Sequence, residues 1–297
     1  MIVPEDISNA ILVTHAGCLD GAASEVVFVL AGGDRQNVRK VPPSGVDKFV
    51  RKNPDIFDSS DRFVFFVDVT PHSSDIIERL ETRGNVVVVD HHKTAMGLVG
   101  RSWCTIDSSR CASFLFKRFL EMSYERFAIE LEEIGPLVEF VDDHDRWQNT
   151  SYHSDELAIF MKTVGFGRFV DRFLDEPDVA WSLKERETID IAIEKRSKYI
   201  EKMLKRVTLR VVDGLRVGYI IANEHVSYLL HEALRANPID LAAAVDLDNR
   251  VVSLRSLDEK FDCSRFAEAR GGGGHACSAA YSLDRSVIDG LVDEVAR

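Results

Sequence analysis

Acidic and imidazole side chains recur directly behind apolar runs in the first half of the chain. The run at 11–14 is followed by His15, Cys18 and Asp20, that at 63–67 by Asp68, and that at 86–89 by Asp90, His91 and His92. A fourth group, Asp142, Asp143, His144 and Asp145, comes directly after Val141. One carboxylate behind an apolar run is ordinarily a helix cap or turn residue. A collection of them at buried strand ends is costly unless a cation or partner compensates the charge. Mixed imidazole and carboxylate donors suit Mn²⁺, Zn²⁺ or Fe²⁺ better than Ca²⁺. These residue types therefore point to a divalent-metal site.

Such groups meet only if strands deliver them to one edge. The apolar runs at 11–14, 63–68 and 86–90 have the length and β-branched content of buried strands, and stretches of helical spacing follow at 21–31, 74–80, 112–121 and 131–141. Short apolar runs separated by helices predict an α/β fold with a mainly parallel sheet covered on both faces. Ligands of such sheets bind beyond the C-terminal strand ends, where the acidic and imidazole groups fall.

Between 181 and 205 a highly charged stretch carries Ile189, Ile193, Ile200 and Leu204 at helical spacing, without Gly or Pro. It reads as one long helix. A second alternation follows, with strands at 209–212, 217–222, 242–246 and 251–255 and a helix at 228–235. The expected organisation is a catalytic domain over 1–180, a linker helix over 181–206 and a smaller α/β domain over 207–297.

The chain has 297 residues, 37 basic and 49 acidic, for a formal charge of −12. That balance argues against a broad grip on duplex DNA, which needs many Lys and Arg on phosphates. A hydrophobic content of 45% is enough for real cores and excludes general disorder. The five cysteines are odd in number, form no C-x-x-C pair and follow no secretory leader. Reduced thiols in a cytoplasmic protein are the expectation. The apolar runs are too short to cross a bilayer.

In this order the motifs resemble the DHH phosphoesterase superfamily. The match lies in His15…Asp20-Gly21, Phe66-Val67-Asp68, Val89-Asp90-His91-His92 and Asp142-Asp143-His144-Asp145-Arg146-Trp147. Val252-Ser253-Leu254-Arg255-Ser256, followed by Gly271-Gly272-Gly273-Gly274-His275-Ala276, resembles the substrate-binding DHHA1 domain. The resemblance covers nearly the whole chain. It implies two metal positions, usually filled by Mn²⁺, with Mg²⁺, Co²⁺ or Fe²⁺ as alternatives. His15 and Asp68 would hold the first ion. Asp20, Asp68, His91 and Asp143 would hold the second, with Asp145 the alternative to Asp143. Asp90 would orient a histidine, and His92 would face the substrate phosphate or leaving oxygen. Two ions about 3.5–4 Å apart activate a shared water for attack on phosphorus.

Two departures stand out. Many relatives have aspartate where this chain has Cys18, so Cys18 is either a soft ligand or a small buried residue. The later small-residue motif keeps Ala279-Ala280 but has Tyr281 in place of its usual glycine. In the second domain, backbone N–H groups of Gly272, Gly273 and Gly274 could approach an anion closely. His275 and Ser256 would add donors, and Arg255 would clamp a phosphate through its planar fork. The resemblance implies hydrolysis of a short oligonucleotide, a cyclic dinucleotide or a pAp-like nucleotide. A polyphosphatase or pyrophosphatase, or a non-catalytic nucleotide-binding protein, is the alternative. No membrane partner is expected, and a homodimer is left open.

Overall fold

The computed structural model describes residues 4–58, 61–257 and 261–287. Residues 258–260 and 288–297 of the expected second domain lie outside the described residues. The chain forms two compact units, Met1–Ala192 and Ile193–Arg297.

The first unit is built on a sheet of five parallel strands in the order β2-β1-β3-β4-β5. These are β1 (Ile11–His15), β2 (Val38–Val41), β3 (Val64–Val67), β4 (Val86–Asp90) and β5 (Cys104–Ile106). The central strands are apolar at nearly every position because both faces are covered. On one face Ile11, Val13, Val64, Phe66, Val86 and Val88 pack against Val46 and Val50 of α2 (Val46–Lys52) and Ile76 and Leu80 of α4 (Ser74–Arg83), with α3 (Pro54–Phe57) beside them. On the other, Phe65 meets Phe28 of α1 (Leu19–Leu30) and Phe116 of α5 (Ala112–Ser123) at ring separations of 6.3 and 5.2 Å. Each such aromatic side chain contributes about 1.5–3 kcal/mol of burial.

The unit continues through α6 (Glu125–Glu130), α7 (Gly135–Asp145), α8 (Tyr152–Val164) and α9 (Phe166–Asp175). Strands β2 and β5 and helices α2, α3, α6, α8 and α9 were not expected. Both strands are sheet edges, and Arg39 and Lys40 break the apolar signature of β2. Edge strands carry such charges without cost because one side faces solvent.

A single helix, α10 (Leu183–Leu204), spans the division between the two units. The second unit then forms a mixed sheet in the order β10-β11-β9-β8-β7-β6. Its strands are β6 (Thr208–Val212), β7 (Leu215–Ile221), β8 (Leu241–Asp246), β9 (Val251–Arg255), β10 (Gly273–His275) and β11 (Ser278–Ser282). Strands β7 and β8 are parallel and the other pairs antiparallel. The parallel pair requires a crossover, supplied by α11 (Val226–Ala236), whose Leu229, Leu230, Ala233 and Leu234 pack on Ile220, Ala242 and Ala244. On the opposite face Cys263 and Ala267 of α12 (Cys263–Glu268) pack on Val252, Leu254 and Ala279. Among the described residues, no helix is long and apolar enough to cross a membrane.

Candidate active site

The C-terminal ends of β1, β3 and β4 are adjacent in the sheet, so His15, Asp68, Asp90, His91 and His92 emerge at one edge. Asp68 is the centre of the arrangement. Its backbone turns into the left-handed region with φ 63°, costly for most side chains and tolerated best by Asp and Asn. The turn comes as Asp68 N–H donates to the carbonyl of Val89, the last rung before the strand ends. Its Oδ2 lies 3.3 Å from His15 Nδ1, and its Oδ1 lies 3.5 Å from His91 Nε2 and 3.6 Å from His92 Nδ1.

Asp20 enters from the first turn of α1. Both its oxygens accept backbone N–H groups from the start of α5, Ala112 and Ser113, at 2.8 Å each. Those donors have no partner inside their own helix, so a carboxylate is favoured there. Gly21 lets α1 begin this close to the strand: a Cβ at that position would lie 2.2 Å from the carbonyl oxygen of His15. Asp90 accepts from the backbone N–H groups of His91 and His92 at 2.7 and 3.0 Å and holds His92 Nδ1 at 2.7 Å. Thr70, which no motif in the sequence marks, donates its hydroxyl to the other Asp90 oxygen.

The fourth motif corrects an expectation. It is Asp145, not Asp143, whose carboxylate meets the cluster, with Oδ2 3.4 Å from His91 Nε2. Asp143 instead accepts from Thr150 N–H at 2.9 Å, Ser151 N–H at 3.3 Å and the Thr150 hydroxyl, closing the loop after α7. Positions two apart on a helix differ by about 200° in direction, so one helix cannot aim both at the same point. Asp142 accepts from Cys111 N–H at 2.6 Å and pairs with Arg110 and Arg146. The downstream Thr150-Ser151, ready donors for a loop carboxylate, was the available signal for Asp143.

Three overlapping groups result, each with ligating atoms within 4.8 Å of one another: His15, Cys18 and Asp68; Asp68, Asp90, His91 and His92; and Asp20, His91 and Asp145. Burial raises the proton affinity of Asp20, with Asp68 adding to it, and burial together with Asp20 pushes Asp145 up to about 7. Burial also opposes ionisation of Asp68, but hydrogen bonds from His15 and His91 hold its carboxyl well below the usual range. Burial opposes charge on the imidazoles too, yet the Asp68 hydrogen bond lifts His91 to about 10 and Asp90 lifts His92 to about 9. Negative charge is thus in excess, and protons share the place a cation would take. Asp145 Oδ2 is buried and accepts no hydrogen bond. An orphaned carboxylate oxygen among imidazole and carboxylate donors fits a divalent ion.

In the second unit Arg255 ends β9 and is 6% exposed. It lines a cavity of about 280 Å³ with Val226, Ser227, Gly273 and Gly274. One of its nitrogens donates to Ser227 O at 2.8 Å, and burial lowers its pKa to about 10. The glycine run differs from the expected cradle of successive N–H groups. Gly271 and Gly272 donate to the carbonyls of Glu268 and Ala267, and β10 pairs with β11 as a hairpin. Gly272 is demanded by packing, since a Cβ there would lie 2.1 Å from Ala280 O. Ser256 also departs from expectation: it is buried, and its hydroxyl donates to Phe261 O at 3.1 Å. Gly273, Gly274 and Arg255 reach the cavity; Gly272, Ser256 and His275 are not in its lining.

No protein-family model matches the chain. The chain is 24% identical over 299 residues to oligoribonuclease NrnB of Bacillus subtilis strain 168, across 94% of this chain and 74% of that protein. RecJ from Thermus thermophilus, solved in complex with Mn²⁺, has a TM-score of 0.55 at 13% identity, over 97% of this chain and 51% of RecJ. Its Mg²⁺ complex gives 0.50 at 13% identity, over 97% and 49%. PggH, a pGpG-specific phosphodiesterase from Vibrio cholerae, gives 0.49 at 14% identity, over 96% and 97%. The parallel sheet with its strand-end acids and histidines, the mixed second sheet and the likeness to NrnB agree with the resemblance of the sequence motifs to the DHH/DHHA1 phosphoesterase superfamily, whose members hydrolyse phosphoric ester bonds.

Proposed function

We propose that this protein is a metal-dependent phosphodiesterase that hydrolyses short oligoribonucleotides. The carrying observation is the convergence of His15, Asp20, Asp68, Asp90, His91, His92 and Asp145 into overlapping donor groups around Asp68. The substrate class follows from NrnB, named an oligoribonuclease, which aligns with nearly the whole chain. RecJ, described with Mn²⁺ and with Mg²⁺, supports a divalent ion.

His15 and Asp68 would hold one ion, and Asp20, Asp68, His91 and Asp145 a second. When bound, such ions supply Lewis acidity to the phosphoryl oxygens and acidify a water. The protein's own contribution is positioning. The α5 N-terminus fixes Asp20, so its oxygens keep their direction whether or not a cation is near. Asp68 is aimed in two directions at once, Oδ2 toward His15 and Oδ1 toward His91 and His92. Asp90 anchors His92 by Nδ1, an arrangement that would leave Nε2 for a phosphoryl or leaving oxygen. In the second unit, the planar guanidinium of Arg255 would pair with a phosphate at its cavity.

The test is a Mn²⁺-supplemented assay of the full chain with dinucleotides, longer oligoribonucleotides, cyclic dinucleotides, pAp and polyphosphate side by side. Cleavage of dinucleotides to mononucleotides, abolished by chelation, is the expected result. The reading fails if no nucleotide substrate is hydrolysed, or if polyphosphate is the preferred one.

A further inference from the structure

Cys18 has no part in the chemistry described above, although it stands inside it. It caps α1, its Sγ accepting from Gly21 N–H at 3.1 Å. The same sulfur lies 2.9 Å from Asp68 Oδ2, the oxygen that His15 Nδ1 approaches at 3.3 Å. Capping alone does not account for a cysteine, because Ser, Thr, Asp and Asn are the side chains that serve best there. Packing alone does not account for it either, because the sulfur faces a carboxylate rather than the apolar core.

The separations have a simple geometric meaning. Around one tetrahedral ion, with bonds of about 2.0–2.3 Å to N, O and S, neighbouring donor atoms stand roughly 3–4 Å apart. The Asp68 oxygen, the His15 nitrogen and the Cys18 sulfur are crowded on nearly that scale, all within 4.8 Å of one another. The Gly21 N–H fixes the sulfur's position by a bond that survives deprotonation of the thiol. Among the described residues, no other cysteine belongs to a group of this kind.

We infer that Cys18 is a thiolate ligand of the first metal position, beside His15 and Asp68, and that it biases this position toward thiophilic divalent ions and against Mg²⁺. The inference rests on the metal-dependent reading proposed above. On binding, the S–H proton now directed at Asp68 Oδ2 passes to solvent as the sulfur–metal bond forms, with no change of oxidation state. Asp68 Oδ2, released from that hydrogen bond, is then available to the same ion. Thiolate donors favour ions such as Zn²⁺, Fe²⁺ and Co²⁺, whereas Mg²⁺ prefers oxygen.

The experiment is a Co²⁺ titration of the metal-stripped full chain, followed by calorimetry and by near-ultraviolet absorption. Wild-type protein should bind Co²⁺ with a sulfur-to-cobalt charge-transfer band and release about one more proton per ion than Cys18→Ser. The band should be missing from both Cys18→Ser and Cys18→Asp. Mg²⁺ should displace Co²⁺ about tenfold more readily from Cys18→Asp than from wild type. Should Cys18→Ser fail to fold by circular dichroism, Cys18→Asp supplies the comparison. Co²⁺ binding by wild type without the band, or a band that persists in both variants, overturns the thiolate and leaves the phosphodiesterase reading standing. A wild-type chain that takes up no Co²⁺ overturns both.

Discussion

The buried acidic edge of the first unit and the end of β9 in the second carry opposite charge. In the first, β3 and β4 deliver Asp68 and Asp90 to a buried edge where Asp20 and Asp145 join them. In the second, β9 delivers Arg255, whose charge is disfavoured by burial, to a cavity edged by glycine backbone. Like charges gathered in a low-dielectric edge are stable only with cations among them, whereas a buried guanidinium suits an anion that accepts two parallel hydrogen bonds. The difference teaches that the acidic balance of the chain says little about its ligands. A chain of charge −12 can still hold a buried arginine at the edge of a cavity.

Removing the centre of the acidic cluster should have the largest effect. Asp68→Asn keeps a side chain that tolerates the left-handed backbone, so the fold should persist while Mn²⁺-dependent dinucleotide hydrolysis falls on the order of 10³-fold. Steady-state kinetics alongside a thermal melt check both halves of that statement. Retained activity would break the contrast between the two strand ends.

Next in size is the pair of aspartates on α7. Asp145→Asn should weaken Mn²⁺ affinity about 10–100-fold while leaving stability equal or higher, because a buried like charge is removed. Asp143→Asn should instead cost about 1–2 kcal/mol of stability with Mn²⁺ affinity unchanged, since its donors are the loop residues Thr150 and Ser151. Calorimetric titration and urea unfolding of the two variants separate the roles.

A smaller effect is expected in the second unit. Arg255→Lys keeps the charge but loses the planar fork, and should raise KM about tenfold with kcat nearly unchanged. An equal fall in kcat would move Arg255 from holding substrate to the chemistry itself.

The smallest effect belongs to a carboxylate with a full set of donors. Asp47 accepts from the backbone N–H groups of His72 and Ser73 and from the Ser73 hydroxyl, tying down the approach to α4. Burial opposes its ionisation, but those hydrogen bonds hold its pKa below the ordinary 3.8. A carboxylate with a depressed pKa stabilises the fold above the unfolded value and loses that contribution as pH falls through the folded one. Asp47→Asn should therefore cost about 0.5–1 kcal/mol at neutral pH, and the difference should shrink below pH 3.8. Parallel thermal melts at pH 7 and pH 3 measure it.

Much of the first unit was legible in the sequence because buried parallel strands are short apolar runs whose ends are marked by the first polar residue. His15, Asp68, Asp90 and His91 lie at such ends, and strand adjacency brings them to one edge. Helices α8 and α9 carry no residue of the site, so no chemical motif marked them despite their amphipathic spacing. The hairpin β10–β11 escaped for a different reason. A run of glycines has no side-chain pattern, so only the partner strand reveals that close backbone approach is what demands Gly272.

Residue types and their order along the chain thus determined the class of fold, the donor chemistry and most of the cluster, since strand ends translate directly into positions in a sheet. Tertiary structure decided which aspartate of α7 faces the cluster, that Ser256 turns inward, and that the Cys18 sulfur meets Asp68. Those outcomes depend on the rotation of a helix about its axis and on contacts such as that between Cys18 and Asp68, 50 positions apart. Spacing within one segment carries no information about either.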